Sequence, residues 1–172
     1  MADDITQGDI DREFHLRRTD PKKFLELMNK RVEQHPDDAN AYFARHQAWS
    51  RIDRLDLALA DLDRSLALED HFVTHRAKGR VLHGMGRYAE AIASLNRCER
   101  MEPESWVEAL GPLIRADCHA RLGDEAAALV DCATLPDDHW TPGMFGLPAG
   151  TKHEVAVELR RRAAAAHGQG PR

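Results

Sequence analysis

Apolar and small residues in the middle of the chain fall three and four positions apart. Tyr88, Ala91, Ile92, Leu95 and Cys98 share one face of a helix, and Ala58, Leu62 and Ser65 set out the same pattern upstream. Phe24, Met28 and Arg31 precede Pro36 at matching spacings, and Val155 and Leu159 fall one turn apart near the C-terminus. No stretch alternates apolar and polar residues, with β-branched content, long enough to predict a sheet. Helix starts are marked as well. Asp20-Pro21 pairs a side-chain cap with a proline at the first helical position, and Thr151 to Glu154 has the spacing of a capping box. These signals predict helices over 20–34 and 151–166, the second stopped by His167-Gly168, in an all-α chain.

The pattern repeats. Ala58 and Ala91 occupy equivalent places, and Pro36, Asp70 and Pro103 close successive stretches with a period of about 34 residues. A two-helix unit of that length buries its apolar face only by stacking on a neighbour. In such a stack small residues such as Gly79, Ala91 and Cys98 permit close backbone approach, and Tyr88, Ile92 and Leu95 fill the remaining space. The set Gly79, Ala91, Leu95, Cys98 and Pro103, with the Gly86-Arg87-Tyr88 turn, closely resembles a tetratricopeptide repeat (TPR). Residues 39–70 match through Tyr42, Ala58, Leu62 and Ser65, while His46 stands where a small residue is expected and Asp70 replaces the closing proline. A third unit matches at Ala116, Gly123-Asp124 and Ala128, but Gly111-Pro112 falls inside its first helix. Pro112 there either bends the helix or opens a new one at its first position, leaving Glu104 to Leu110 as a separate turn or two.

The resemblance implies a right-handed α-α superhelix of about three helix-turn-helix repeats, with N-terminal helices and a C-terminal capping helix. The implied organisation is a degenerate repeat or cap over 1–38, repeats over 39–71, 72–103 and 104–136, a Pro/Gly-aromatic loop over 137–150, and a capping helix and tail over 151–172.

At 172 residues with 42% hydrophobic content, the chain has the size and apolar supply of one compact unit. A net charge of −5 with mixed signs gives no basic surface for phosphate neutralisation, so no nucleic-acid partner is expected. The opening Met-Ala-Asp-Asp carries no apolar run, which predicts a cytoplasmic protein without secretory signal or membrane span. Arg160, Arg161 and Arg162 form the densest basic run, but near a helix C-terminus they complement its dipole.

Candidate chemistry is sparse. Cys98, Cys118 and Cys132 are widely spaced among apolar neighbours, as reduced core residues are, and lack the paired spacing of a zinc site. His71 and His75 are four apart, but without a third ligand at a diagnostic spacing they read as surface or capping residues. No nucleophile elbow, phosphate loop or dinucleotide turn occurs. No catalytic residue, metal or cofactor is therefore expected, and the protein is read as a non-enzymatic binding module.

In tetratricopeptide solenoids the first helix of each pair lines a concave groove that accepts a peptide or helix. The resemblance places Asn40, Phe43, Gln47 and Arg51 there from the first unit, Arg76, Arg80 and His83 from the second, and Leu113, Asp117 and Arg121 from the third. Guanidinium groups beside amides and an aromatic ring suit a partner protein that offers an acidic segment or a free C-terminus. The lysine and asparagine clamp of co-chaperones that hold heat-shock tails is not matched, since Phe43, Gln47 and Ala77 stand at its places. Trp140, Met144, Phe145 and Leu147 form a second candidate surface, expected to tuck against the solenoid. The expected role is an adaptor or scaffold. The alternative is a dedicated assembly or secretion chaperone for a hydrophobic client, which predicts a homodimer formed through the N-terminal helices.

Overall fold

The computed structural model describes residues 7–108, 110–144 and 146–168. It is mostly helical, and it divides into two compact units between Asp70 and His71, where length alone suggested one.

The first unit holds α1 (Gln7–Thr19), α2 (Pro21–Gln34), α3 (Ala39–Arg51) and α4 (Leu55–Leu68), each packed on the next in order. The predicted cap of α2 is present: the Asp20 carboxylate accepts from the Lys23 amide at 3.1 Å, with Pro21 opening the helix. Phe24 and Met28 of α2 meet Ala44 and Ala48 of α3 in a small core that Leu16, Leu25 and Leu27 surround. Ala41 of α3 and Ala58 and Leu62 of α4 are fully buried in the same unit. His46, in a place where a small residue is expected, is buried, its ring Nδ1 against the Phe43 carbonyl.

The second unit begins with the helical hairpin α5 (Phe72–Gly84) and α6 (Tyr88–Met101). A short α7 (Pro103–Glu108) follows, then a second hairpin, α8 (Gly111–Arg121) and α9 (Glu125–Ala133). Pro112 lies in the first turn of α8, so it opens that helix and leaves α7 as the separate turn before it. The close fit there requires glycine, because a Cβ on Gly111 would lie 2.1 Å from the Trp106 ring.

The α3–α4, α5–α6 and α8–α9 turns each pass through a residue with positive φ at the same place: Asp53 at 60°, Gly86 at 75° and Gly123 at 85°. Glycine takes this conformation freely and aspartate tolerates it, which is why the turn in the first unit survives without glycine.

The chain then forms a two-stranded antiparallel ribbon, β1 (Trp140–Pro142) with β2 (Ala149–Thr151), registered Trp140 to Thr151 and Thr141 to Gly150. The sequence predicted no sheet. Three-residue strands are too short to show a period of two, and the reversal depends on Gly143 and Gly146 at φ 84° and 73°.

Thr151 then opens α10 (Lys152–Gly168) through the predicted capping box: its amide donates to Glu154 at 2.7 Å, and its hydroxyl accepts from the Glu154 amide at 3.4 Å. Helix α10 packs on α8 and α9, where Val155, Leu159 and Ala163 close a core with Leu113, Ala116, Ala120, Ala128, Cys132, Leu135 and Leu147. Among the described residues no helix is long and apolar enough to cross a membrane.

Candidate functional site

Two arginines hold helical hairpins together in the same way. Arg45 of α3 donates to both Asp61 oxygens of α4, from Nε at 2.9 Å and Nη2 at 2.7 Å, and its Nη1 reaches Asn29 on α2. In the second unit Arg115 of α8 donates to both Asp131 oxygens of α9, at 2.9 and 2.6 Å, and its Nη1 reaches Asn96 on α6. Both carboxylates are buried, so each pair is a desolvated, bidentate staple. Burial opposes the charge on Arg115, but the bonds from Asp131 and Glu99 outweigh it and raise its pKa. Sequence reasoning passed over all four residues. Their signal was an Arg and an Asp at the same separation in the first and third units, and it lay off the small-residue pattern that defined the repeat.

A second polar cluster joins α5, α8 and α10. Asp117 is fully buried on α8. His83 Nε2 of α5 donates to its Oδ2 at 2.6 Å, and Arg121 Nε, one turn along α8, donates to the same oxygen at 2.7 Å. The other oxygen accepts from Arg162 Nη1 of α10. Arg162 also donates from Nε to Glu158 at 2.8 Å and from Nη2 to the Gly146 carbonyl, so one guanidinium fastens α10 and the ribbon loop to the hairpin. Burial alone would raise the Asp117 pKa. The His83 and Arg121 bonds and the Arg162 charge overcome this and hold it below the ordinary carboxylate value. The bond from Arg161 leads in pulling Glu158 down to about 2, against its own desolvation and with help from Arg162.

This arrangement sorts the expected groove residues. His83 and Asp117 are brought together but spent on each other, and Arg121 lies over the Tyr88 ring at 5.4 Å while it serves Asp117. Leu113 belongs to the core rather than to a groove, because it is fully buried with Leu159 and Leu147 in one cluster. Arg76 is half-buried and Arg80 exposed on the same face of α5, and among the described residues neither meets an acid. Partial desolvation and the neighbouring Arg76 charge lower the Arg80 pKa. Half-buried Phe72 precedes Arg76 by one turn and extends this strip, with its ring stacked on His71 at 4.9 Å.

In the first unit Gln47 accepts from Arg17 of α1 at 3.0 Å, Phe43 packs on His46 at 4.7 Å, and Asn40 and Arg51 are exposed at opposite ends of α3. In the ribbon Leu147 is buried and Met144 packs against the core, as expected. Trp140 instead is 60% exposed, because β1 buries Thr141 between two outward-facing neighbours. Phe145 lies outside the described residues.

The thiols belong to the core. Cys98, Cys118 and Cys132 are free and buried, and desolvation pushes all three pKa values up, that of Cys118 to about 12, which leaves them protonated and unreactive at neutral pH. His71 caps α5, its ring nitrogen accepting from the Val73 amide at 3.2 Å. A shallow recess of about 400 Å³ lies between α9 and α10, lined by Leu129, Cys132, Lys152, His153 and Arg160. Lys152 is committed there to the carbonyls of Ala133 and Leu135 and to Asp137. The open chemistry of the second unit is therefore the cationic strip on α5. Neither a protein-family model nor a curated protein matches this chain.

Proposed function

We propose that this protein is a non-enzymatic adaptor whose helical hairpins are repeats of the tetratricopeptide type, the building blocks of a right-handed superhelix, and that it holds a segment of another protein against α5. Three features support the repeat assignment: positive-φ turns at matching places, Arg–Asp staples at the same separation in two hairpins, and Gly79 pressed so close to α6 that a Cβ would lie 2.6 Å from Leu95.

The observation that carries the binding role is the pair Arg76 and Arg80. In the same unit Arg87, Arg115, Arg121, Arg161 and Arg162 all meet carboxylates, so these two cations on one face remain available to a partner. An acidic segment would gain charge-assisted, bidentate bonds there without displacing an internal ion pair.

The test is capture from the native host's extract by the intact chain and by an Arg76→Glu, Arg80→Glu variant of matched helicity and thermal stability. A partner held by the first and lost by the second establishes the α5 face as the site. A partner held equally by both removes this reading and moves binding to another surface, such as exposed Trp140.

A further inference from the structure

The chemistry of the α5 strip specifies its ligand more closely than an acidic segment in general. Resting on the adaptor reading above, we infer that Arg76 and Arg80 together bind one phosphorylated side chain of a partner protein. Residues four apart on a helix place their Cβ atoms about 5–6 Å from each other, so two guanidinium groups can converge on a single group of atoms. A carboxylate has one charge and two oxygens, which a single arginine can engage bidentately, as Arg45 does for Asp61. A phosphoryl group carries a charge of about −1.5 to −2 and three acceptor oxygens, enough for a bidentate contact from each guanidinium.

The neighbourhood favours that occupant. The buried acid of α8 that reaches α5, Asp117, is already surrounded by His83, Arg121 and Arg162, so it neither neutralises the strip nor leaves a free negative charge to repel an anion. Repulsion from Arg76 contributes to the lowered pKa of Arg80, and an oxyanion lying between the two would relieve it. Phe72, one turn before Arg76, offers apolar contact to the residue beside the phosphorylated one. A single such pair on a chain of net charge −5 does not suit a polynucleotide, whose affinity needs several phosphate contacts in a row.

The experiment uses the full chain and three immobilised peptide libraries of random sequence, with a central phosphoserine, serine or glutamate. The phosphoserine library should be retained, and peptides selected from it should bind at least tenfold more tightly than their serine and glutamate counterparts. Arg76→Ala and Arg80→Ala should each weaken that binding by roughly tenfold or more. Arg76→Lys, which keeps the charge but loses the bidentate fork, should weaken it less, and Arg100→Ala, an exposed arginine on α6, should leave it unchanged.

Equal retention of serine and phosphoserine libraries overturns the inference. If that equal binding is still lost in the Arg76→Glu, Arg80→Glu variant, the adaptor reading survives alone; if it persists, both readings fall together. Saturable binding of inorganic phosphate with no gain from the peptide, or tighter binding of a single-stranded RNA than of any phosphopeptide, also overturns it.

Discussion

Replacing Asp117 with asparagine tests whether the α5, α8 and α10 junction is held by charge. The side chain keeps its shape, but it loses the charge that answers His83, Arg121 and Arg162. Removing one partner of a buried ion pair costs about 3–5 kcal/mol, because the remaining charges stay desolvated. Arg162 keeps Glu158 and the Gly146 carbonyl, and the Arg121 side chain is 35% exposed and can turn to water, so the lower part of that range applies. A loss of about 3 kcal/mol would move a urea midpoint down by roughly 1.5 M at an m-value of about 2 kcal/mol/M. It would lower the melting temperature by roughly 6–12 °C in a chain of this size. Hydrogen exchange should place the new opening in α5, α8 and α10. The pH dependence has a defined sign. Asp117 is depressed in the folded state, so its contribution is fully present above the unfolded carboxylate pKa of about 3.9 and is lost as pH falls through the folded value. The native and Asp117→Asn proteins should therefore converge in stability as the solution is acidified. A loss under about 1 kcal/mol at neutral pH, or a difference that stays constant down to pH 2, would refute the electrostatic account.

Other positions give sharper tests of packing and capping. Gly111→Ala forces a Cβ against the rigid Trp106 ring and should cost about 1–3 kcal/mol by urea unfolding, with a changed near-ultraviolet tryptophan signal. Arg115→Met leaves Asp131 buried and unanswered at a cost of about 3–5 kcal/mol, whereas Arg115→Met with Asp131→Leu should recover most of it in a double-mutant cycle. Asp124→Ala removes the side chain that accepts from the Ala127 amide and should cost about 1 kcal/mol, while Asp124→Gly should cost only a few tenths in the same melt.

Local rules made much of the fold legible. Caps at Asp20 and Thr151, the helix opening at Pro112 and the spacing of Ala58, Leu62, Ala91 and Leu95 each depend on residues within about a turn of each other, and each appears in the structure. What the chain did not disclose depends on distant partners. Periodicity placed Arg76, Arg80 and His83 on one helical face, but only the approach of α8 and α10 shows that His83 is bound to Asp117, while among the described residues the two arginines meet no acid. Leu113 was misassigned for a related reason. Its place in a helix was readable, yet the face it presents was fixed by Pro112 restarting the helix and by α10 covering it. Trp140 was expected to tuck inward because an exposed apolar patch tends to fold back onto its own protein, but the ribbon's pleat gave the inward place to Thr141.

The division of labour among the arginines follows from burial. A buried carboxylate such as Asp117, Asp61 or Asp131 is tolerable only when cations surround it, so the hairpin interior recruits guanidinium groups wherever it holds an acid. Arg45, Arg115, Arg121 and Arg162 are consumed in this way, and replacing any of them should be read first as a loss of stability. Among the described residues Arg76 and Arg80 face no buried acid, so their removal should leave the melting curve nearly unchanged while altering what the protein holds. That contrast makes the α5 face separable from the scaffold by experiment. A large destabilisation by Arg80→Ala would show that the strip is internal structure, and the adaptor reading would lose its site.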